Sequence, residues 1–557
     1  MSAPPPHPES FLEGLKRRKV LRAATIYVAI AYAAIEGTDI LTPQLGLPDW
    51  LLTAVLVGAA IGLPFVLLVS WHYDVTATGF ERTGATPEVE AEPATRVAER
   101  SVAVLPFSNL SDEAENEYFS DGVTEEIINA LAQLPGLHVA ARTSSFSFKG
   151  KPEDVTVIGE RLSVANVLEG SVRRAGSRIR ITAQLVSCRD GYHLWSEVYD
   201  REIEDVFAIQ DDIARSIAER MKVQLLGDVD GSLVRYHTED LESYNLYLKG
   251  RYVWNQRTST GLRRSIDFFE QATREDSGYA LAYAGLADAY SILGWYRHME
   301  PRQAFEKTKV AAGAALDLDD SLAEAHTSLA YARFLYDWDQ EGAEAEFRRA
   351  IELNPLYTTA LHWYAEFLMA MGRLDEAQGY VDRAHELDPL SLSVATGEGW
   401  VRYFRGDFEG AIDQYLSVLA VDPNYVIIPW FLGPAFVQAG QIDRAIALYE
   451  SWIPKIDNPA GLKALLGHAL AREGRRDDAV RLLRVLEDPA TDPHAQPDGL
   501  ALVHLGLGDR ERALDQLEAA CEQRCWPLVF LRVDPVYEPL RDEPRYAALL
   551  EKTGLVA

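Results

Sequence analysis

The sequence predicts a multidomain chain with an N-terminal transmembrane helical hairpin, a small α/β domain and a C-terminal α-solenoid built of helix pairs. Two apolar segments near the amino terminus indicate the hairpin. Short β-rich runs alternate with helical periodicity in residues 101–226, which is typical of an α/β domain. A 34-residue period then runs through residues 240–557 and indicates the solenoid. With 557 residues, of which 48% are hydrophobic, the chain can build several packed cores.

Residues 20–73 are predicted to form the transmembrane hairpin, with spans at about 20–41 and 50–71. The second span carries no charged residue from Trp50 to Trp71, which is spanning length with a tryptophan at each interface. The first span is weaker, because an acidic residue interrupts it after thirteen uncharged positions.

Cations before the first span predict the orientation, because basic residues stay on the cytoplasmic side. Residues 1–19 therefore form a cytoplasmic basic N-terminus, and the hairpin returns the chain to the same side. If only the second segment spans, the large C-terminal part lies on the opposite side. Residues 74–100 are rich in Thr, Ala, Pro and Glu and have no hydrophobic period, so they are predicted to be a linker.

The α/β domain begins with a buried strand in "SVAVLPF", followed by a helix in "SDGVTEEIINALAQLPG" that Ser120 or Asp121 could cap. A second strand, "LHVAAR", and a second helix, "VTVIGERLSV", come next. Alternating apolar and polar residues then predict a meander of hairpins with turns at Gly176 and Gly191. The amphipathic helix "DVFAIQDDIARSIAERMKVQL" closes the domain.

This segment resembles the bacterial TolB amino-terminal-like domain through "SVAVLPFSNLS", "YFSDGVTEEIINAL", "VLEGSVRR", "RITAQLVS" and "HLWSEVYDRE". The resemblance implies an interaction or sensory module, and no catalytic residues come with it. One polar cluster could bind a ligand; its members are Trp195, Ser196, Glu197, Tyr199, Asp200 and Arg201. The alternative is a strand whose Trp and Tyr pack inward while the charged residues pair outside.

Five copies of the C-terminal period carry a glycine at the same position, namely Gly372, Gly406, Gly440, Gly474 and Gly508. An alanine recurs in the same register at Ala343, Ala377, Ala411, Ala445, Ala479 and Ala513. A larger apolar residue follows each alanine by four, and a proline follows the first three alanines by twelve. This is the pattern of the tetratricopeptide repeat (TPR), in which Gly makes the turn, Ala allows close helix contact and Pro ends the second helix. We count about seven repeats, with an irregular start and an atypical C-terminal cap.

A TPR solenoid has a concave groove lined by the first helix of each pair. The predicted partner-binding groove residues are Tyr331, Phe334, His362, Glu366, Trp400, Tyr403, Trp430, His468 and Arg472. Their mixed aromatic and charged character suits an extended peptide or a partner helix. The alternative is that Trp400 and Trp430 belong to the core between helices.

The chain contains none of the common catalytic or nucleotide-binding motifs, and no cofactor is predicted. Its net charge of −30 argues against nucleic-acid binding. Cys521 and Cys525 could share one helix face, but two thiolates do not complete a zinc site. The acids Asp407, Glu409, Asp413 and Asp422 cluster in sequence, yet the repeat assigns each of them a structural position.

The whole architecture resembles bacterial TolB-like TPR membrane proteins. We therefore expect a non-enzymatic, membrane-anchored scaffold or adaptor for protein partners, active in signalling or in assembly at the envelope. It would lie in the bacterial inner membrane with its soluble domains in the cytoplasm. The alternative is a signalling sensor whose α/β domain binds a small ligand.

Overall fold

The computed structural model describes Thr38, Trp50 and Val55 and residues 73–76, 79–82, 100–111, 116–134, 136–221, 237–492 and 494–555. The chain divides into two compact units, residues 1–96 and 97–557. The predicted spans lie outside the described residues, apart from three single helical positions. Within the part of the chain that the structure describes, no helix combines the length and the apolar composition that crossing a membrane requires.

The first unit contains an antiparallel β-hairpin of β1 (Tyr73–Thr76) and β2 (Gly79–Arg82), with Thr76 opposite Gly79. This hairpin lies in the segment that the sequence predicted as the linker 74–100. Strands of four residues are too short to give a recognisable alternation of apolar and polar residues, so the sequence pattern did not indicate them.

The second unit begins with a mixed β-sheet whose strands lie in the order β5-β3-β6-β7-β8, with β4 also paired to β6. β3 runs parallel to β5 and β6, whereas β6, β7 and β8 form the predicted antiparallel meander. The turns of this meander contain Gly176 and Gly191, both with positive φ. The strands are β3 (Ser101–Val104), β4 (Ser108–Asn109), β5 (His138–Val139), β6 (Asn166–Ala175), β7 (Arg178–Ser187) and β8 (His193–Glu202).

Helices cover both faces of this sheet: α1 (Glu117–Ala132), α2 (Arg142–Phe146), α3 (Val155–Leu162) and α4 (Val206–Arg220). α1 and α4 pack together, while α3 packs with Ala103 and Val167 on the other face. The predicted N-caps of α1 are wrong, because Ser120 and Asp121 lie inside its first turns and are buried. Asp121 instead binds Lys149 at 2.6 Å, so a tertiary ion pair determines where that carboxylate points.

Eight antiparallel helix pairs follow in the described residues. They are α5 and α6 (Leu241–Trp254, Ser259–Glu275), α7 and α8 (Ala280–Trp295, Pro301–Leu318), α9 and α10 (Ala323–Ala332, Gln340–Leu353), α11 and α12 (Thr358–Ala370, Leu374–Leu387), α13 and α14 (Leu392–Phe404, Phe408–Val421), α15 and α16 (Pro429–Gln438, Ile442–Trp452), α17 and α18 (Ala460–Arg472, Arg476–Glu487), and α19 and α20 (Pro497–Gly506, Arg510–Glu522).

The local features of the repeat explain these pairs. The five repeated glycines all have φ between 72° and 85°, which an L side chain rarely adopts. All six repeated alanines are fully buried, so neighbouring helices approach closely. The predicted irregular start of the repeats corresponds to the first pair, in which α5 has no single apolar face. Aromatic residues lie all round α5, which packs between α6, α7 and α1.

The chain after α20 no longer follows the 34-residue period, as predicted. The sequence did not predict where this segment packs on the solenoid. Two short 3₁₀ segments (Trp526–Phe530 and Pro535–Leu540) precede the last helix, α21 (Pro544–Lys552). We call residues 526–540 the C-terminal insert. It packs against first helices of the solenoid, where the ring of Phe530 lies 4.7 Å from Trp400 and 5.6 Å from Phe404.

Candidate functional site

The predicted groove residues lie on first helices of the solenoid or the turn after one, but the chain itself covers most of them. Tyr331, Phe334, Glu366, Trp400, Tyr403 and His468 are buried, His362 and Trp430 are half-buried, and Arg472 is exposed. The C-terminal insert covers part of this surface through Phe530. A peptide bound along this stretch would have to replace the protein's own segment, so the groove assignment stays a prediction.

One closed polar network joins three of these residues. The Tyr331 hydroxyl donates to Glu366 Oε2 at 2.8 Å, and His362 Nε2 lies 3.0 Å from Glu366 Oε1. The Tyr331 ring also stacks on Trp363 with the ring centroids 4.0 Å apart. Burial, followed by the charge of Glu366, raises the pKa of Tyr331 well above its ordinary value, so the tyrosine stays a neutral donor.

Two further groove residues contact later parts of the chain. The Tyr403 hydroxyl donates to Asp534 Oδ1 at 3.0 Å, and the Val536 amide donates to the same oxygen. Burial raises the pKa of Asp534 to about 6. His468 Nδ1 lies 2.9 Å from the Leu502 carbonyl oxygen, and burial lowers the pKa of this imidazole to about 4. The neutral imidazole therefore carries its proton on Nδ1 and donates it to that carbonyl.

A cavity of about 400 Å³ remains inside the solenoid. About a third of its lining residues are aromatic, and three predicted groove residues, Trp400, Tyr403 and Trp430, line it. Trp295 from α7 and Trp526 from the C-terminal insert stack against each other with ring centroids 5.4 Å apart and planes inclined by 16°. The cavity thus lies where an early repeat meets the end of the solenoid. The sequence pattern did not predict that these two parts of the chain are in contact.

The charged groups at this cavity differ in their partners. Arg297 Nη2 lies 2.6 Å from Asp498 Oδ2, and Asp534 accepts the two hydrogen bonds already described. The guanidinium of Arg257 lies over the ring of Trp254, 3.7 Å from its centroid, and within the described residues it makes no ion pair. Lys455 and Asp457 line the rim and are exposed.

A second polar network joins the α/β domain to the solenoid. Glu125 of α1 accepts from Arg142 Nε at 2.7 Å and from Arg251 Nη2 at 2.9 Å. Arg251 also contacts Asp288 at 3.3 Å, and Ser328 donates to Asp288 at 2.6 Å. Burial alone would raise the pKa of Glu125, but the two guanidinium groups hold it below its ordinary value.

The polar cluster predicted on β8 of the α/β domain is arranged as an ordinary strand, with aromatic residues inside and charged residues outside. Trp195 and Tyr199 pack inward, whereas Asp200 lies outside and binds Arg178 at 2.7 Å. β8 is the last strand of the sheet, and in the described residues only β7 pairs with it. Two apolar side chains of β8 point to solvent: Leu194 is 46% exposed and Val198 is 58% exposed. An uncovered edge strand with apolar residues can accept another strand.

The acid cluster and the cysteines have structural positions. Asp407 caps α14 by accepting from the Gly410 amide at 3.0 Å, and Asp422 ends the same helix. Cys521 and Cys525 do not share a helix face, because α20 ends before Cys525. Both thiols are buried. Among the residues that the structure describes, no three His, Cys, Asp or Glu side chains meet as a metal site.

Comparison with family models gives three matches. Residues 98–216 match the second domain of HilA/YgeH-like transcriptional regulators. Residues 339–395 and 396–460 match tetratricopeptide repeats. The resemblance to TolB amino-terminal-like domains stays a prediction.

The curated proteins that the chain is similar to include an enzyme by name and a transcriptional regulator. It is 36% identical over 269 residues to the putative adenylate cyclase 3 of Rhizobium meliloti, covering 48% of this chain and 45% of that protein. It is 22% identical over 332 residues to the transcriptional regulator HilA of Salmonella typhimurium, covering 58% and 57%. The chain thus spans about half the length of the curated relatives it matches.

Among solved structures, one from the functional characterization of Pseudomonas aeruginosa pilF covers 37% of this chain and 92% of its own, with 22% identity and a TM-score of 0.29. Both repeat matches fall within the helix pairs of the solenoid. The C-terminal part of the chain is a tetratricopeptide-repeat solenoid, and a small α/β domain precedes it.

Proposed function

We propose that this chain is a non-enzymatic, membrane-anchored adaptor that holds a protein partner for a bacterial signalling system. The observation that carries the proposal is the TPR solenoid, since TPR proteins generally mediate protein–protein interaction. The α/β domain docks on the solenoid through Glu125 and Arg251, so both present their surfaces from one compact unit.

The names of the relatives do not assign a single activity to the matched part of this chain. One is named an adenylate cyclase and the other a transcriptional regulator, which are two different activities. Most of either match must lie beyond residue 96, because residues 1–96 are too short to contain it. We propose that the matched part of this chain serves recognition rather than either of these named activities. Formation of cyclic AMP from ATP by the purified chain would contradict this part of the proposal.

The edge of β8 is the surface that we assign to the partner. The chain's own segments cover most of the predicted groove, whereas Leu194 and Val198 on β8 remain exposed. An extended segment of a partner protein could pair with this edge through main-chain hydrogen bonds and cover the two apolar side chains.

Proximity labelling from the intact anchored protein tests this assignment. Val198→Asp adds a charge to the exposed edge and should remove specific neighbours from the labelled set. Val310→Asp is the matched control, because Val310 is 73% exposed on α8, away from the sheet. An unchanged set of neighbours in Val198→Asp, or an equal loss in both variants, would refute the assignment.

Membrane anchoring is proposed from residues 20–41 and 50–71 and from the cations that precede them. Both ends of this hairpin would lie in the cytoplasm. A reporter fused at the C-terminus tests the topology: a reporter active only in the cytoplasm should function, and activity of a periplasm-only reporter would exclude the hairpin.

A further inference from the structure

The aromatic cavity of the solenoid has the size of a small-molecule site. Its volume of about 400 Å³ lies within the usual range of roughly 300–1,000 Å³ for such pockets. Four tryptophans line it: Trp295, Trp400, Trp430 and Trp526. Aromatic rings favour flat apolar partners, which they contact by stacking or edge to face.

Arg257 places at this cavity a guanidinium that makes no ion pair within the described residues. It follows the end of α5 with a φ of 53°, and its amide donates to the Trp254 carbonyl oxygen at 3.1 Å. The side chain is half-buried, and burial lowers the pKa of its guanidinium. In the described part of the chain, the side chain makes neither an ion pair nor a hydrogen bond, although a guanidinium carries five N–H donors. The ring of Trp254 leaves these N–H donors unused, so an anionic group that accepts hydrogen bonds from them would be stabilised.

Within the described residues, no acid that lines the cavity forms an ion pair with Arg257, and the buried Asp288 acts on Arg257 only electrostatically. Asp498 is taken by Arg297 at 2.6 Å. Asp534 accepts hydrogen bonds from the Tyr403 hydroxyl and a backbone amide. Lys455 and Asp457 are exposed at the rim, and their opposite charges offset each other. The charges that line the cavity therefore sum to zero, and the attraction for an anion is local to the guanidinium of Arg257, whose N–H donors are unused in the described residues.

We propose that this cavity binds a small ligand consisting of a flat aromatic ring that carries one anionic group, a carboxylate or a phosphate. The ring would lie against the tryptophan walls, and the anion would accept two N–H bonds from Arg257. This inference goes beyond the adaptor function and does not rest on it.

Binding to the purified full-length chain tests the ligand class. Titration calorimetry and quenching of tryptophan fluorescence would use indole-3-acetate and AMP as ring anions, indole as the ring alone and inorganic phosphate as the anion alone. At least one ring anion should bind saturably and at least tenfold more tightly than both single-feature probes, and the tighter ring anion identifies carboxylate or phosphate. Absence of saturable binding by both ring anions, or equal binding of indole, would overturn the proposal.

A pair of variants tests the role of Arg257. Arg257→Asn removes the charge and keeps a residue type that tolerates positive φ. We expect it to weaken binding of the ring anion at least tenfold, about 1.4 kcal/mol, and to leave indole binding unchanged. Arg264→Gln is the control, because Arg264 also stacks on a ring, that of Phe268 at 5.3 Å, but does not line the cavity. Equal affinity in Arg257→Asn and the wild type would refute the role. If Arg257→Asn does not fold, the comparison of ring anions with indole and inorganic phosphate on the wild-type chain still tests whether the site requires an anion.

Discussion

Ser144 and Asp388 are 244 positions apart, yet the backbone amide of Ser144 donates to Asp388 Oδ1 at 2.9 Å and its hydroxyl donates to the same oxygen. The first residue lies on α2 of the α/β domain, and the second ends α12 of the solenoid. Asp388 is only 2% exposed. This contact and the Glu125–Arg251 pair attach the α/β domain to the solenoid at two separate places.

Asp388→Ala should destabilise the protein by about 1–3 kcal/mol, because it leaves the buried amide and hydroxyl of Ser144 without an acceptor. Asp422 is the matched control: it ends α14 at the same repeat position, and within the described residues its carboxylate accepts from the amide of Asn424, two positions away. Asp422→Ala should lower the free energy of unfolding by less than about 1 kcal/mol. Urea unfolding measures both variants, and equal losses would argue against the interdomain role of Asp388.

Arg251→Met should destabilise the protein by about 3–5 kcal/mol. The substitution keeps the length of the side chain but leaves the buried carboxylates of Glu125 and Asp288 without this partner. The control is Arg405→Met, which removes a 2.7 Å pair with the fully exposed Asp375 and should change stability by less than about 1 kcal/mol. Chemical denaturation compares them. A loss below about 1 kcal/mol in Arg251→Met would contradict the importance of the buried pair.

Glu126 should make stability fall as pH rises. Burial, and then the neighbouring charge of Glu125, raises its pKa to about 8, against about 4.3 in an unfolded chain. Between these values the folded protein holds a proton that the unfolded protein has released, so the free energy of unfolding decreases from about pH 4.5 to pH 8. The charge of Arg251 lowers the pKa of Glu126, and the charge of Glu324 raises it, as Glu125 does.

Glu126→Gln checks this sign. The variant is always neutral at this position, so its unfolding midpoint should exceed that of the wild type increasingly from pH 5 to pH 9. Glu160→Gln, at an exposed position of α3, should show no such trend. A difference between Glu126→Gln and the wild type that does not vary with pH would contradict the raised pKa.

Two helical glycines should respond to alanine in opposite directions. A Cβ at Gly399 of α13 would collide with the buried ring of Tyr415, so Gly399→Ala should destabilise the protein by about 1–3 kcal/mol. Gly379 of α12 has nothing within 4 Å of its added Cβ, so Gly379→Ala should stabilise by up to about 1 kcal/mol. Thermal unfolding distinguishes them, and a stabilised Gly399→Ala would show that the helices can separate to accept the methyl group.

Part of the cavity could be anticipated from the repeat, and part could not. The repeat register placed Trp400, Tyr403 and Trp430 on first helices, and all three line the cavity. The sequence did not predict that Arg257 and Trp295 line the cavity, because they belong to the irregular first repeats, where no repeat register assigns a residue to a helix face. The sequence did not predict a place for Trp526 either, because the C-terminal insert does not follow the 34-residue period.

The sequence by itself determined the 34-residue helix pairs, their glycine turns and the order of the α/β elements. These depend on contacts within one repeat or between neighbours, and short-range patterns of Gly, Ala and apolar residues record them. Only the tertiary structure decided that the C-terminal insert packs into the solenoid, that α1 and α2 dock on it and that Arg257 lines the cavity without an ion pair in the described residues. Each of these depends on residues more than a hundred positions apart, which meet because the stacked helix pairs curve.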